Sequence, residues 1–323
     1  MRKDLFGVQE TSPYDVLNKY DYLLVDINNL AYRAYYATKL TNSAGESTSI
    51  FHIPLKTLYN MIQTMQPKGV VLCWDSILGY WRKLVYPEYK ANREKKGEDV
   101  YKIFADLYWL CDYLGFQQVM SEGYEADDWM AYLTAKNESC AVYSGDRDLF
   151  QLVDDSRKNC VIYPDKEKII IEVDEAKAEE LFIEPRLVSS YKAIAGDTSD
   201  NIKGVPGVGE KRVRLVLEHV NLSDWLSEES GTISPIWFDS APVKAIEKIT
   251  SCEATARKCF QITDLKHDHS PKDFSIFNKI QPKNRIDDFE EFLVGNGLSE
   301  LLDISENFKV ILSRMEPLFV GKP

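Results

Sequence analysis

The sequence predicts an α/β fold: a twisted, mainly parallel sheet flanked by helices, followed by a helical region. Three observations carry that prediction. Apolar runs such as Tyr22–Val25 and Val70–Cys73 are nearly continuous, as strands buried on both faces of a parallel sheet require. From residue 21 to about 150, strand-like and helix-like segments alternate, the pattern of βαβ units. Short acidic blocks stand where strands or the turns after them should end: Asp26 in YLLVDINN, Asp75 in VVLCWDS, Glu125, Asp127 and Asp128 in GYEADD, and Asp146 and Asp148 in AVYSGDRD.

Taken in order, residues 1–20 read as a poorly patterned extension with a turn or cap at Thr11-Ser12-Pro13. YLLVDIN is a strand and LAYRAYYATKL the helix after it. A helix near 51–65 and the strand VVLCW come next, then a polar stretch over 76–100 and the helix YKIFADLYWLCDYL. GYEADDWMAYLTAK reads as a turn entering a helix, and CAVYS as a strand. VIYPDKEKIIIEV suggests a hairpin turning at Asp165-Lys166-Glu167. Helices containing VSSYKAIAG and KRVRLVLEHV begin near Pro185, and the last hundred residues have a helical pattern without a chemical motif. The expected division is an extension over 1–20, an α/β core over 21–182 and a helical region over 183–323.

The composition narrows the function. A chain of 323 residues, 44% of them hydrophobic, can bury more than one core. No apolar run reaches the roughly 18 residues of a membrane span, and MRKDLFGVQETSPYD lacks the apolar stretch of a signal peptide. A cytoplasmic protein is expected. Cys73, Cys111, Cys140, Cys160, Cys252 and Cys259 form no CxxC pair, which argues against zinc and for reduced thiols. Cys252 and Cys259 fit one face of a helix. His52, His219, His267 and His269 have no evident catalytic partner and read as surface or packing residues. The formal charge of −12 excludes coating of nucleic acid by bulk attraction, but not a local basic track.

Each acidic block has an ordinary explanation. Glu125, Asp127 and Asp128 favour a helix N-terminus, Asp146 and Asp148 a turn, and Asp197 a helix cap. Together with Asp197 and Asp200 in GDTSDN the blocks make a different pattern. In an open α/β sheet ligands gather beyond the carboxyl ends of the strands, where carboxylates distant in sequence can meet. Clustered carboxylates raise each other's pKa, and hard divalent cations with oxygen ligands relieve that repulsion. Two such ions can activate water and stabilise both oxygens of an in-line phosphoryl displacement. A metal-dependent hydrolase of phosphodiesters is the reading the pattern favours.

Two elements suit nucleic acid. GYWRKLVYPEYKANREKKGED sets Arg82, Lys83, Lys90, Arg93, Lys95 and Lys96 among Trp81, Tyr86 and Tyr89, so that basic groups can neutralise phosphates and rings can stack on bases. A solvated helix with packed aromatics is the plain alternative. Asn201–Arg212 (NIKGVPGVGEKR) resembles a helix–hairpin–helix within about 190–220. Gly204, Gly207 and Gly209 would let backbone N–H groups approach a phosphate, with Lys203, Lys211 and Arg212 beside them. A P-loop is excluded because Glu210 follows the last glycine, and GxGxxG fails at Arg212.

These residues carry a family resemblance. VDINNLAYRAYYA, YPEYKANRE, GYEADDWMAYL, SGDRDLFQLV and AIAGDTSDNIKGVPGVGEKR together resemble the 5′ nuclease family: bacteriophage 5′→3′ exonucleases, flap endonucleases and the 5′ nuclease domain of bacterial DNA polymerase I. The resemblance runs from about 21 to 220 and implies a PIN-like core cutting DNA near 5′ ends, nicks and flaps. It implies that Asp26, Asp75, Glu125 and Asp127, with Asp128 nearby, hold one metal, and that Asp146, Asp148, Asp197 and Asp200 hold a second. The ions implied are Mg2+, with Mn2+ able to substitute, and K+ at the hairpin. Lys90 and Arg93 would steady the scissile phosphate; Arg33, Arg82, Lys83 and Tyr89 would contact DNA. Residues 76–105 would form the helical arch that passes the 5′ strand. Implied as well are action on RNA–DNA hybrids in primer removal, a monomer, replication partners, and a free-standing phage-type enzyme working in the host cytoplasm. The rivals are a PIN-type ribonuclease, against which the hairpin argues, and a non-catalytic, structure-selective DNA-binding factor, against which the full set of acids argues.

Overall fold

The computed structural model describes residues 19–37, 40–43, 45, 47–76, 80–94, 97–165, 170–220, 222–227, 243–266, 289–295 and 298–318. The elements run β1 (Tyr22–Asp26), α1 (Ile27–Ala37), α2 (Ser49–Met65), β2 (Gly69–Cys73), α3 (Arg82–Val85), α4 (Glu98–Leu114), β3 (Gln117–Val119), α5 (Ala126–Lys136) and β4 (Cys140–Tyr143). They continue as β5 (Cys160–Pro164), β6 (Ile170–Val173), α6 (Glu175–Leu181), α7 (Val188–Ala195), α8 (Glu210–Leu217) and α9 (Leu222–Ser227). After these come α10 (Val243–Ser251), α11 (Glu253–Thr263), α12 (Phe289–Gly295) and α13 (Leu302–Leu312).

The six strands form one sheet in the order β3-β2-β1-β4-β5-β6, parallel except for the β5–β6 hairpin at the edge. The predicted α/β class is the one observed. Alternation along the strands divides the core. Leu24, Val71 and Val142 face a cluster that includes residues of α5, α7, α8 and α11. Leu23, Val25, Leu72 and Ala141 face a second cluster built with α1, α2, α4 and α13. Both faces of β1 are therefore dry, which is why YLLVD could be read as a strand at all. Chain direction away from β1 reverses between β2 on one side and β4 on the other, and this switch point opens a crevice at the carboxyl ends of the strands.

Several elements differ from expectation. QQV is a third strand, β3, paired with β2, and α6 precedes the helices expected from Pro185. Cys252, the N-cap of α11, and Cys259, buried within that helix, pack on the same apolar cluster, as expected. Among the described residues of 76–105, α3 has four residues, turns follow through Asn92, and α4 begins at Glu98. The extension as far as residue 18, the hairpin residues Lys166 and Glu167, the side chains of Lys95 and Lys96, and His267 and His269 lie outside the described residues. Among the described residues no helix is long and apolar enough to cross a membrane.

Candidate active site

The turns after β1, β2 and β4 bring the acids together. Asp26 ends β1; its Oδ1 accepts a bond from the Asn29 backbone N–H (2.9 Å) and so caps the start of α1. Its Oδ2 accepts from Ser144 Oγ just beyond β4 (2.9 Å). Asp75 is held by its own backbone N–H, which donates to Asn28 Oδ1 (3.1 Å), and its Oδ1 accepts from the Ala126 N–H at the head of α5 (2.9 Å). Asp127 stands in the first turn of α5, and Asp146 caps the 3₁₀ turn Arg147–Leu152 by accepting from the Asp148 N–H (2.9 Å). Local roles as caps thus aim carboxylates from three strand ends into one crevice.

The charges show how close that packing is. Burial, then the charges of Asp75 and Asp146, push Asp26 up to about 7, against its hydrogen bonds. Burial, Asp146, Asp26 and Glu125 hold Asp127 well above the usual carboxylate range. Asp148 is pushed up to about 7 by burial and Asp146, against Lys192. Asp75 is raised by burial and by Glu125. Glu125 goes the other way: burial would raise it, but Lys90 and Arg82 outweigh burial and hold it low.

Asp197 and Asp200 are presented by a loop closed on itself. Asp197 and Ile202 exchange backbone bonds (2.8 and 2.7 Å), and Gly196 and Gly204 turn at φ +84° and +65°. A Cβ on Gly204 would run into the Gly196 backbone and lie 2.5 Å from the Ile194 carbonyl oxygen. The segment after α3 clamps this loop. Lys90, at φ +54°, donates its N–H to the Asp200 carbonyl (2.9 Å), and Asn201 Nδ2 donates to the Glu88 carbonyl (2.7 Å). Lys90 Nζ pairs with Glu125 and lies 3.9 Å from Asp200, while Arg93 reaches Asp200 at 2.5 Å.

Lys192 joins the site without having been expected there. Its ammonium pairs with Asp148 (2.6 Å) and with Asp197, and this pairing helps hold Asp197 below the usual range despite its burial. Its signal was a single lysine in the otherwise uncharged helix VSSYKAIA, five residues before Asp197. Among the described residues no group of three or more His, Cys, Asp or Glu has the geometry of a ready-made metal site, and lysines pair with Glu125, Asp148 and Asp197. The donor set nevertheless fits hard divalent cations: it is all oxygen, and burial together with mutual repulsion raises Asp26 and Asp127, a cost that a bound cation would relieve.

Three expectations need correction. Arg82 is 2% exposed, and its guanidinium binds Glu125 (3.0 Å), both oxygens of Asp128 (2.9 and 2.7 Å) and the Ile262 carbonyl (2.9 Å); it has no free edge for DNA. Asp128 is consumed by that fork and by the Glu125 N–H (2.8 Å), so it anchors the site and is not a metal ligand. Tyr89 is buried and its hydroxyl is bonded with Glu125 (2.8 Å) and Asp200 (3.1 Å), which leaves no ring face for a base. Arg33 stays at the rim, half-buried and bonded to the Pro164 carbonyl (2.8 Å); a Cβ on Gly145 would lie 2.7 Å from its Nη1.

The glycine hairpin lies where α7 passes into α8. Gly209 caps α8, whose first N–H groups have no partner within the helix. Lys203, Lys211 and Arg212 are exposed around it, as is Lys83 on α3. Lys248 of α10 was not expected: its Nζ lies 3.3 Å from where a Cβ on Gly207 would stand. Gly204→Ala should lower the thermal midpoint clearly, since the left-handed backbone alone costs about 1–3 kcal/mol and the collision adds to it. Gly207→Ala, which meets only the mobile end of Lys248, should lower it less. Equal midpoint losses would contradict this packing.

Comparison with known proteins decides the family. Residues 21–182 match the family model described as 5′-3′ exonuclease, N-terminal resolvase-like domain. The chain belongs to the 5′-3′ exonuclease family. It is 32% identical to the 5′-3′ exonuclease of Bacillus subtilis (strain 168) over 220 residues, covering 66% of this chain and 74% of that protein. The 5′-3′ exonuclease of Mycoplasmopsis pulmonis is also 32% identical, over 61% of this chain and 66% of its own length. The thermostable DNA polymerase I of Thermus thermophilus is 35% identical over 61% of this chain, but over only 24% of the polymerase. In three dimensions the chain resembles T5 5′-exonuclease, solved with zinc ions bound, at a TM-score of 0.59 and 19% identity over 91% of this chain and 98% of that one. That likeness shows the shared fold. The nuclease family expected from the motifs is therefore the one found.

Proposed function

We propose that this member of the 5′-3′ exonuclease family is a structure-selective 5′ nuclease that cuts DNA near 5′ ends, nicks and flaps, using at least two divalent cations. The observation that carries the reading is the convergence of Asp26, Asp75, Asp127 and Asp146 at the sheet's switch point, within residues matched by the family model. Asp26, Asp75, Glu125 and Asp127 would hold one ion, and Asp146, Asp148, Asp197 and Asp200 the other. Mg2+ is the proposed ion and Mn2+ its substitute; when bound, such ions supply an activated water and charge stabilisation on the phosphoryl oxygens.

The chain's own residues do the rest. Lys90 and Arg93, now paired with Glu125 and Asp200, are within reach of a phosphate held against those acids and would steady its charge. Lys192 holds Asp148 and Asp197 in place. Arg82 and Asp128 fix Glu125 from behind, so that Glu125 cannot swing away from the crevice. The hairpin and Lys203, Lys211, Arg212 and Lys248 would grip duplex backbone, with K+ proposed at the hairpin turn. The core over 21–182, completed by Asp197 and Asp200 from the helical region over 183–323, would thus carry the chemistry, and the glycine hairpin of that region the duplex. Replication partners and a monomer at work in the cytoplasm belong to the same proposal. Cleavage of 5′-labelled flap, nicked, single-stranded and RNA–DNA substrates in parallel with magnesium tests it. Preference for junctions with an unpaired 5′ strand is expected, with RNA–DNA duplexes also cut. Equal cutting of every single strand, or of none of the substrates, would defeat it.

The acids also predict a pH effect in the metal-free protein. Unfolded carboxyls ionise near 4, whereas folded Asp26 and Asp148 keep their protons up to about 7. Between those values the folded state binds more protons, so stability from these two groups falls as pH rises through that window and is fully present below it. Glu125 and Asp197, held low, contribute in the opposite direction only at more acidic pH. Scanning calorimetry should therefore show that magnesium raises the melting temperature strongly at about pH 7.5 and weakly at about pH 5. A magnesium effect independent of pH would contradict the mutual repulsion.

A further inference from the structure

A cavity of about 310 Å3 opens between α5, the turns after β4 and the segment that follows α11. Of the acids around the crevice only Asp128 borders it, and that carboxylate is taken by Arg82. Ala131 and Ala135, one turn apart on α5, leave the room; Trp81 and Tyr132 supply rings. The polar groups of the lining are unevenly satisfied. Its acceptors are occupied: Asp154 accepts from Ser156 Oγ (2.6 Å) and the Arg157 N–H (3.2 Å), Asp264 from the Lys266 N–H (3.1 Å), and Asn159 Oδ1 from the Cys140 N–H (3.1 Å). Its cations have donors to spare. Arg157 commits Nη2 to the carbonyls of Thr134, Ala135 and Asn137 at the end of α5, while its buried Nε has no partner among the described residues. Lys266 is exposed at the end of the lining segment, and desolvation holds its ammonium below the usual lysine range despite the charges of Asp154, Asp264 and Glu175. Occupied acceptors beside spare cationic donors suit an anion, and the rings suit an aromatic one.

We propose that this cavity binds one nucleoside monophosphate, with its base against Trp81 and Tyr132 and its phosphate on Lys266 and Arg157. The volume lies at the small end of the roughly 300–1,000 Å3 of small-molecule sites, so it takes a single nucleotide and not a strand. A phosphate monoester matches two cations whose neighbouring carboxylates are already engaged. Hydrolysis of the terminal phosphodiester of a 5′-phosphorylated strand yields this class of compound, so the proposed reaction would supply the ligand. The site also adjoins the machinery of that reaction. The Trp81 indole N–H donates to Asp128 (3.3 Å), the Arg82 guanidinium lies 4.7 Å from the centre of the Trp81 ring, and Arg82 in turn holds Glu125. A bound nucleotide would therefore rest against the residues that fix Glu125.

The test is calorimetric titration of the full chain with deoxyadenosine 5′-monophosphate in chelator, where metal-dependent cleavage does not run and a metal-bridged phosphate cannot form in the crevice. Saturable binding of one nucleotide per chain is expected. Lys266→Ala should weaken it about tenfold, the scale of one lost charged hydrogen bond, and Lys266→Arg should restore most of it. Ala135→Trp, at an exposed position on the cavity wall, should fill the space and abolish binding. Deoxyadenosine and deoxyribose 5-phosphate should each bind at least about tenfold more weakly than the whole nucleotide, since each lacks one of the two contacts. No saturable binding, or wild-type affinity in both Lys266→Ala and Ala135→Trp, would overturn the site. So would a fragment that binds as tightly as the nucleotide. Because the titration needs no cleavage, its failure would leave the nuclease reading standing, and failure of cleavage would leave the titration decisive for the cavity.

Discussion

Asp127→Asn should slow single-turnover cleavage by roughly a thousandfold while making the metal-free protein more stable, not less. The two effects have one cause. Asp127 sits in the first turn of α5, where the helix dipole favours a negative charge. Even so, burial and the charges of Asp146, Asp26 and Glu125 hold its carboxyl well above the usual range. A group that unfavourable in the folded chain is retained at a cost to stability, as expected of a ligand whose partner is a cation. The amide keeps the shape and removes the charge, so the repulsion goes and so does the ion's anchor. The rise in melting temperature on adding magnesium should shrink in the variant. Thermal melts with and without magnesium, beside rates on one flap substrate, check the prediction; a variant both slower and less stable without metal would refute it.

Arg82→Ala should have the largest effect on stability, about 3–5 kcal/mol, because it leaves Asp128 and Glu125 buried without their cation. Against a total of about 5–15 kcal/mol for a folded domain, this approaches unfolding. Arg82→Lys should recover only part, since an ammonium cannot bridge Asp128 with two nitrogens and still reach Glu125 and the Ile262 carbonyl. Pairing Arg82→Ala with Asp128→Asn should cost less than the sum of the two, because the second change removes a stranded charge. Urea denaturation of the four proteins measures this. Full additivity would mean that the guanidinium and Asp128 do not depend on each other.

These two residues also show where the sequence was readable and where it was not. Strands β1, β2 and β4 were legible because a dry, two-faced strand must be apolar throughout, and the acids after them were legible as interruptions of that rule. Strand β3 was not, since QQV is three residues long, begins with two glutamines and owes its place to β2. Arg82 and Tyr89 sit in a stretch rich in Lys and Arg that reads as solvated. Their burial depends on Glu125 and Asp128, 36 to 46 residues further on, and local pattern carries no signal across that distance. Lys192 stood in plain view, but it reads as a solvent-facing lysine until the fold sets it against Asp148. Lys248 comes from a region with no motif at all, and only the approach of α10 to Gly207 reveals it.

The central claim is that the crevice between β1, β2 and β4 cuts phosphodiesters with divalent cations held by its carboxylates. Single-turnover cleavage of a flap duplex labelled at its 5′ end, followed across magnesium concentrations and in chelator, tests it most directly. The account predicts release of a labelled fragment cut near the junction, a rate that climbs with magnesium to a plateau, no product in chelator, and a steep loss with Asp127→Asn. Cleavage that persists in chelator, or that survives Asp127→Asn at an undiminished rate, would contradict it.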